Sequence, residues 1–289
     1  KLLKSMPQTG TFQYIKKENT KNIDIQFIKK IGKYGNKNIL QYLEQLIPKI
    51  KQNINFVSSR ILFYASKFGN LELIKYFWEK NNHNLNDGTV FYVAATYDHL
   101  DIIIWGNQTG TITKDGLLFK YAAENGNIDM LEYLYKNGCP WNVYTCAAAA
   151  IFGKLETLKW LINHNCPIGS PVYIEAAKGG QLEILKYLAS TIKNNSEYIS
   201  KTAEDMAFEA GNIGHIEMVE FILNYIDKSG QHKIIESACL GCTCNGHLSV
   251  ILWAIEKGFI INDNIYKKAI FWKNAEIIDW LAKNYVINQ

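Results

Sequence analysis

The stretch "AAENGNIDMLEYLYKNGCPWN", Ala122–Asn142, reads as the end of one helix, a tight turn at Gly126, a second helix and a connecting loop. Apolar residues at Ile128, Met130, Leu131, Tyr133 and Leu134 fall two, four, five, seven and eight positions after the glycine, which is a helical stripe. Ala122 and Ala123 before it are small enough to let a neighbouring helix approach, and the glycine permits the turn. A unit of this size cannot bury its own apolar face. It needs neighbours of the same kind.

The neighbours are in the chain. The phrase returns at Gly69 ("GNLELIKYF"), Gly153 ("GKLETLKWL"), Gly180 ("GQLEILKYL"), Gly214 ("GHIEMVEFI") and Gly246 ("GHLSVILWA"). Weaker copies start at Gly35, Asp98 and Lys273, giving nine in all, spaced 27 to 34 residues apart. Four residues before the anchor stands an alanine at 65, 94, 122, 149, 176, 210 and 269. Seven before it the residue is mostly apolar (Leu62, Phe91, Phe119, Tyr173, Tyr266), marking a first helix. Seven after it every copy carries an aromatic: Tyr42, Tyr76, Trp105, Tyr133, Trp160, Tyr187, Phe221, Trp253 and Trp280. This column shares a face with the aliphatic positions and is expected in the core rather than as a platform for stacking bases. Acid and lysine recur three and six after the anchor (Glu72/Lys75, Glu156/Lys159, Glu183/Lys186), the wet face of the second helix. Two polar insertions, 189–206 and 225–237, lengthen the C-terminal steps and predict longer loops or extended helix ends.

On these residues the chain resembles the ankyrin repeat family. Ala122 and Ala123 match its alanine pair, Gly126 its turn glycine, Ile128–Leu134 its second helix, and Gly138 and Asn142 its connecting loop. Two departures stand out. The T-P-L-H opening of the first helix is absent in every copy, and most steps are shorter than the usual repeat. The loops "NGCPWN" (Asn137–Asn142) and "HNCPIG" (His164–Gly169) resemble the compact "GCPW" variant of large DNA viruses of amoebae and of protists. The expectation is an all-α, ankyrin-repeat-like solenoid of about nine helix–turn–helix units with short or absent β-hairpins. It spans residues 31–289, with 1–30 as an N-terminal tail or capping segment.

The densest chemical motif is "ACLGCTCNGHLSVILW", Ala238–Trp253, with Cys239, Cys242, Cys244 and His247 spaced like metal ligands. Repeat register explains three of the four. Cys242 occupies the alanine position, Cys239 the position where Cys146 stands in another copy, and His247 follows the anchor as His99 and His215 do. Zinc knuckles are built from loops with a second ligand pair elsewhere, and none has that spacing here. No metal and no cofactor are therefore expected. Cys139 and Cys166 fall at one loop position in adjacent units, roughly 10 Å apart, too far for a disulfide. No nucleophile elbow, P-loop, dinucleotide fingerprint or H-E-x-x-H is present, and the expectation is a protein that is not an enzyme.

Composition narrows the partners. The net charge is +4 and Arg60 is the only arginine, which disfavours sequence-specific nucleic-acid reading. No apolar run is long enough to span a membrane. The opening "KLLKSMPQTG" lacks the apolar core of a signal peptide, and six cysteines without one point to a reducing, cytoplasmic setting, the host cytoplasm for a viral protein. In ankyrin repeats the residue just before the anchor is usually polar and faces the concave groove. Here it is Tyr34, Phe68, Tyr97, Phe152 or Trp272 in five copies, with Ile151 and Ile213 adding to the row. Exposed aromatics serve as interface anchors, so these residues are the candidate protein-binding site. The alternative is that they fold against the next unit. The resemblance implies a monomeric interaction scaffold for an unknown, host-encoded protein. The rivals are a structural component of a virion or complex and, below it, lysine-mediated binding to nucleic acid.

Overall fold

A computed structural model describes residues 25–36, 39, 41, 54–82, 85, 88–192 and 195–284. Among them are seventeen α-helices and no strand. The helices form the expected all-α array of helix–turn–helix units. The chain divides into two compact units, residues 1–114 and 115–289.

The first unit holds α1 (Ile25–Tyr34), α2 (Ile54–Lys67), α3 (Leu71–Lys80), α4 (Thr89–Thr96) and α5 (Leu100–Gln108). The second holds α6 (Gly116–Asn125), α7 (Ile128–Lys136), α8 (Val143–Ile151), α9 (Leu155–Asn163), α10 (Ser170–Lys178) and α11 (Leu182–Thr191). It continues with α12 (Asn195–Asn212), α13 (Ile216–Leu223), α14 (Lys228–Asn245), α15 (Leu248–Glu256), α16 (Asp263–Trp272) and α17 (Ala275–Asn284). Of the expected tail or cap, residues 1–24 lie outside the described residues. Residues 25–30 open α1.

Each pair turns on its anchor. Eight anchors have positive φ: Gly69, Asp98, Gly126, Gly153, Gly180, Gly214, Gly246 and Lys273. This left-handed turn lets the next backbone N–H reach back to a carbonyl of the first helix, as His247 N donates to Cys242 O at 3.1 Å. Asp98 and Lys273 hold the conformation at a cost of about 1 kcal/mol each. The residue after the anchor does more than cap the second helix. Asn70 donates from Nδ2 to Gly35 O at 2.8 Å, and His99 from Nε2 to Lys67 O at 3.0 Å, both in the preceding repeat. A Cβ on Gly153 would lie 2.6 Å from Gln181 Oε1, and one on Gly246 2.5 Å from Asn274 Nδ2. Each such side chain lies over the preceding anchor, so glycine is required there both by the turn and by the neighbour.

First helices stack on first helices, α1 on α2 on α4 and α6 on α8 on α10 on α12 on α14 on α16. The small-residue column makes this possible: all seven alanines four before the anchor, and Cys242 in their place, are fully buried. The residue three before the anchor is buried in the same way at Ser66, Ala95, Ala123, Ala150, Ala177, Gly211 and Thr243. The last repeat breaks the rule. Ile270 is 48% exposed, beside exposed Phe271 and Trp272, because no further unit covers this face among the described residues.

The second helices contribute the positions four, five and eight after the anchor to the core, for example Met130, Leu131 and Leu134. The aromatic column is a correction to the core expectation. Only Trp105 and Trp253 are buried; Tyr76, Tyr133, Trp160, Tyr187, Phe221 and Trp280 are half-buried, and Tyr42 lies outside the described residues. Neighbouring second helices meet through these large rings. Trp253 donates from Nε1 to Glu220 Oε1 on the preceding second helix at 3.1 Å, and Trp105 meets Trp78 edge-on at 5.5 Å. The loop tryptophan has a similar task. Trp141 packs against Phe119 at 5.0 Å, Tyr135 at 5.1 Å and Trp160 at 6.1 Å. Asn142 then caps α8, accepting from Tyr144 N at 2.9 Å. Of the two expectations for the polar insertions, extended helix ends are what forms: α12 and α14 are each 18 residues long.

Candidate functional site

The residues just before the anchors close the first helices, where the chain turns outward. Phe152 is 54% exposed and Tyr97 42% exposed, and Tyr34, Ile213 and Trp272 are also exposed. Phe68 and Ile151 are half-buried. In the first unit lysines cover the rings. Lys33 Nζ stands 4.9 Å from the Tyr34 ring and 5.2 Å from the Phe68 ring, and Lys67 Nζ stands 4.5 Å from the Tyr97 ring. These contacts help hold the orientation of the rings, and Tyr64 also stacks on Phe68 at 6.2 Å. In the second unit Ile213 leans over Gly180, whose added Cβ would lie 3.2 Å from Ile213 Cδ1. Gly179 breaks the aromatic row there, because a Cβ would overlap the Ile151 carbonyl. Trp272 meets Phe271 edge-on at 5.1 Å.

Ile151 and Phe152 form one wall of a groove of about 520 Å³. Leu117, Lys120 and Glu124 of α6 face them, Tyr144, Ala147 and Ala148 of α8 line it, and Glu175 of α10 closes one side. The groove exists because α8 carries alanine five and six before the anchor. Other repeats have larger residues there, such as Lys120 and Tyr121, Ile174 and Glu175, or Phe208 and Glu209. Ala147 and Ala148 are themselves buried, so the floor is apolar and backbone-tight. Candidate residues from the sequence supplied the rim and missed the floor. The signal that would have found it is the run "CAAAA", Cys146–Ala150, the smallest first-helix sequence in the array.

The cysteines belong to packing. Cys239 and Cys242 are fully buried in α14, and Cys242 Sγ donates to the Cys239 carbonyl at 3.0 Å. Burial, reinforced by the Glu236 charge, pushes the Cys239 thiol up to about 12, and burial raises that of Cys242 as well. His247 sits at the start of α15 as a turn residue, and Cys244 is half-buried on the other side of α14. Among the described residues no group of three His, Cys, Asp or Glu is placed to hold a metal ion. Neither Cys139 nor Cys166 is in a disulfide. Cys166 lies against Cys146 instead, and that hydrogen bond together with burial raises the Cys146 thiol far above its ordinary range. No described helix is long and apolar enough to cross a membrane.

A family model of ankyrin repeats matches residues 119–198 and 145–233, in three copies. Residues 119–233 are ankyrin repeats. The groove and its aromatic rim therefore lie within matched ankyrin repeats, Leu117 just ahead of them. Over 107 residues the chain is also 30% identical to an ankyrin repeat protein of Rickettsia bellii, a match that takes in 33% of this chain and 29% of that relative. Among solved structures, a pentatricopeptide repeat protein from maize aligns over 97% of this chain and 46% of its own, at a TM-score of 0.35 and 11% identity. Ankyrin repeats generally serve as non-enzymatic protein–protein interaction modules.

Proposed function

We propose that this ankyrin repeat protein is an interaction scaffold that captures a partner protein on its first-helix face. Tyr34, Phe68, Tyr97, Ile151, Phe152, Ile213 and Trp272 serve as anchors. The observation that carries this reading is Phe152. A large ring stands 54% exposed on the rim of an apolar groove, held there by a helix whose buried side is already filled with alanine. Binding to a prefolded surface of this kind loses little ordering entropy. The partner is a host protein if the source is one of the viruses or protists that the compact loops resemble. The setting on this reading is a reducing, cytoplasmic one, and the protein acts as a monomer without a cofactor.

Replacing Phe152 by a benzophenone photo-crosslinking residue tests the reading. Illumination in a lysate of the source cell is expected to give a discrete covalent adduct. The same replacement at Tyr135, an exposed aromatic on the second-helix side, is expected to give none. Adducts at Tyr135 alone would overturn it.

The exposed end face of α16, with Ile270, Phe271 and Trp272, supports a second reading as an assembly component. Light scattering separates the two, since a monodisperse monomer at high concentration counts against assembly.

A further inference from the structure

The two acids of the groove are held differently from the four lysine-paired acids of the second helices. On the second helices lysine pairs tightly with acid: Lys159–Glu156 at 2.7 Å, Lys186–Glu183 at 2.8 Å, Lys136–Glu132 at 3.0 Å and Lys257–Glu220 at 3.0 Å. Both groove acids have a lysine only at 3.8 Å, Lys120 beside Glu124 and Lys178 beside Glu175, too long for a hydrogen bond. Glu124 is also the most enclosed of these carboxylates, its side chain 19% exposed. Burial holds its carboxyl above the usual carboxylate range, against the opposing pull of Lys120. A partly desolvated carboxylate without a close hydrogen-bonded cation is stabilised by any cation that arrives with its own donors. Between the acids and the aromatic rim lies the apolar floor of Ala147 and Ala148, with Leu117 and Ile151 at its sides. The volume, about 520 Å³, suits one or two large side chains rather than a folded domain.

We propose that the segment seated in this groove presents a bulky apolar side chain flanked by lysine or arginine. The apolar group fills the floor at Ala147 and Ala148, and the cation engages Glu124 and Glu175. This rests on the groove being a protein-binding surface and adds the chemistry of the partner. The apolar contact supplies binding energy. The acids select, because a partner with carboxylates at the same places meets like charge in a poorly solvated site.

Two short synthetic peptides test the inference. Both carry a central Trp-Leu; one has arginine on both sides and the other glutamate. Binding is followed by methyl resonances of Ala147, Ala148 and Leu117. The arginine peptide is expected to shift these methyls and to bind at least tenfold more tightly than the glutamate peptide, a preference that falls with added salt. The Glu124→Gln/Glu175→Gln variant is expected to bind the two peptides alike. Its conservative exchanges leave the buried floor untouched. Equal binding of the two peptides by the unaltered protein would overturn the inference and leave the groove as a binding surface. Shifts from neither peptide would overturn it as well, while crosslinking at Phe152 reports separately on whether the face binds protein.

Discussion

Exchanging Gly241 for alanine is expected to lower the unfolding free energy by about 3 kcal/mol, although alanine is the better helix former by about 1 kcal/mol. Gly241 is buried in the middle of α14, against α12. An added Cβ would overlap the Phe208 carbonyl oxygen, lie 2.8 Å from its carbon and 3.0 Å from Asn212 N. These are backbone atoms of a neighbouring helix and cannot rotate away. The contact is reciprocal, because a Cβ on Gly211 of α12 would overlap the Ala238 carbonyl of α14. The two longest helices are therefore pressed together at two glycines, and a methyl group at either must force them apart. Urea denaturation checks the effect. An alanine variant as stable as the parent would mean that α12 and α14 are not packed at this distance.

Leu158→Ala is expected to cost 2–5 kcal/mol, by the loss of buried methyl groups and the cavity left behind. Leu158 lies five after its anchor, fully buried, in the column that also holds Leu131 and Leu185. Tyr187→Ala, at the half-buried aromatic position seven after its anchor, is expected to cost about 1 kcal/mol. The ring rests beside Lys159 of the preceding second helix, at 5.7 Å, and loses a surface contact rather than a core one. Paired denaturation curves decide the matter. Similar losses for the two variants would restore the aromatic column to the core.

That contrast marks how far a sequence can be read here. The anchors, the left-handed turn and the small residue four before it were legible because the repeat supplies many independent copies of one local rule. Cys242 took its place by register alone. The aromatic column was not legible in the same way. Positions four, five, seven and eight after the anchor share one helical stripe, and period cannot say which of them meet the core and which stay half-exposed between second helices. The polar residues 189–206 and 225–237 left loop and extended helix end both open, and the packing of α12 against α14 decides for helix. His99 and Asn70 showed as turn residues, while their bonds to the preceding repeat depend on the stacking distance, which no single copy encodes. The groove lay in plain view as four alanines, but a run of small residues looks like any buried helix until its neighbours leave the space above it open.

Tyr97 and Phe152 stand on the surface and not in the packing between repeats, as the proposed scaffold requires. The most direct measurement is the thermal melt of the Tyr97→Ser/Phe152→Ser variant beside the parent protein. Two exposed rings contribute little to folding, so the midpoint is expected to stay within about 2 °C. Loss of the cooperative transition, or a fall of about 10 °C or more, would show that the rings are part of the core and would contradict the account.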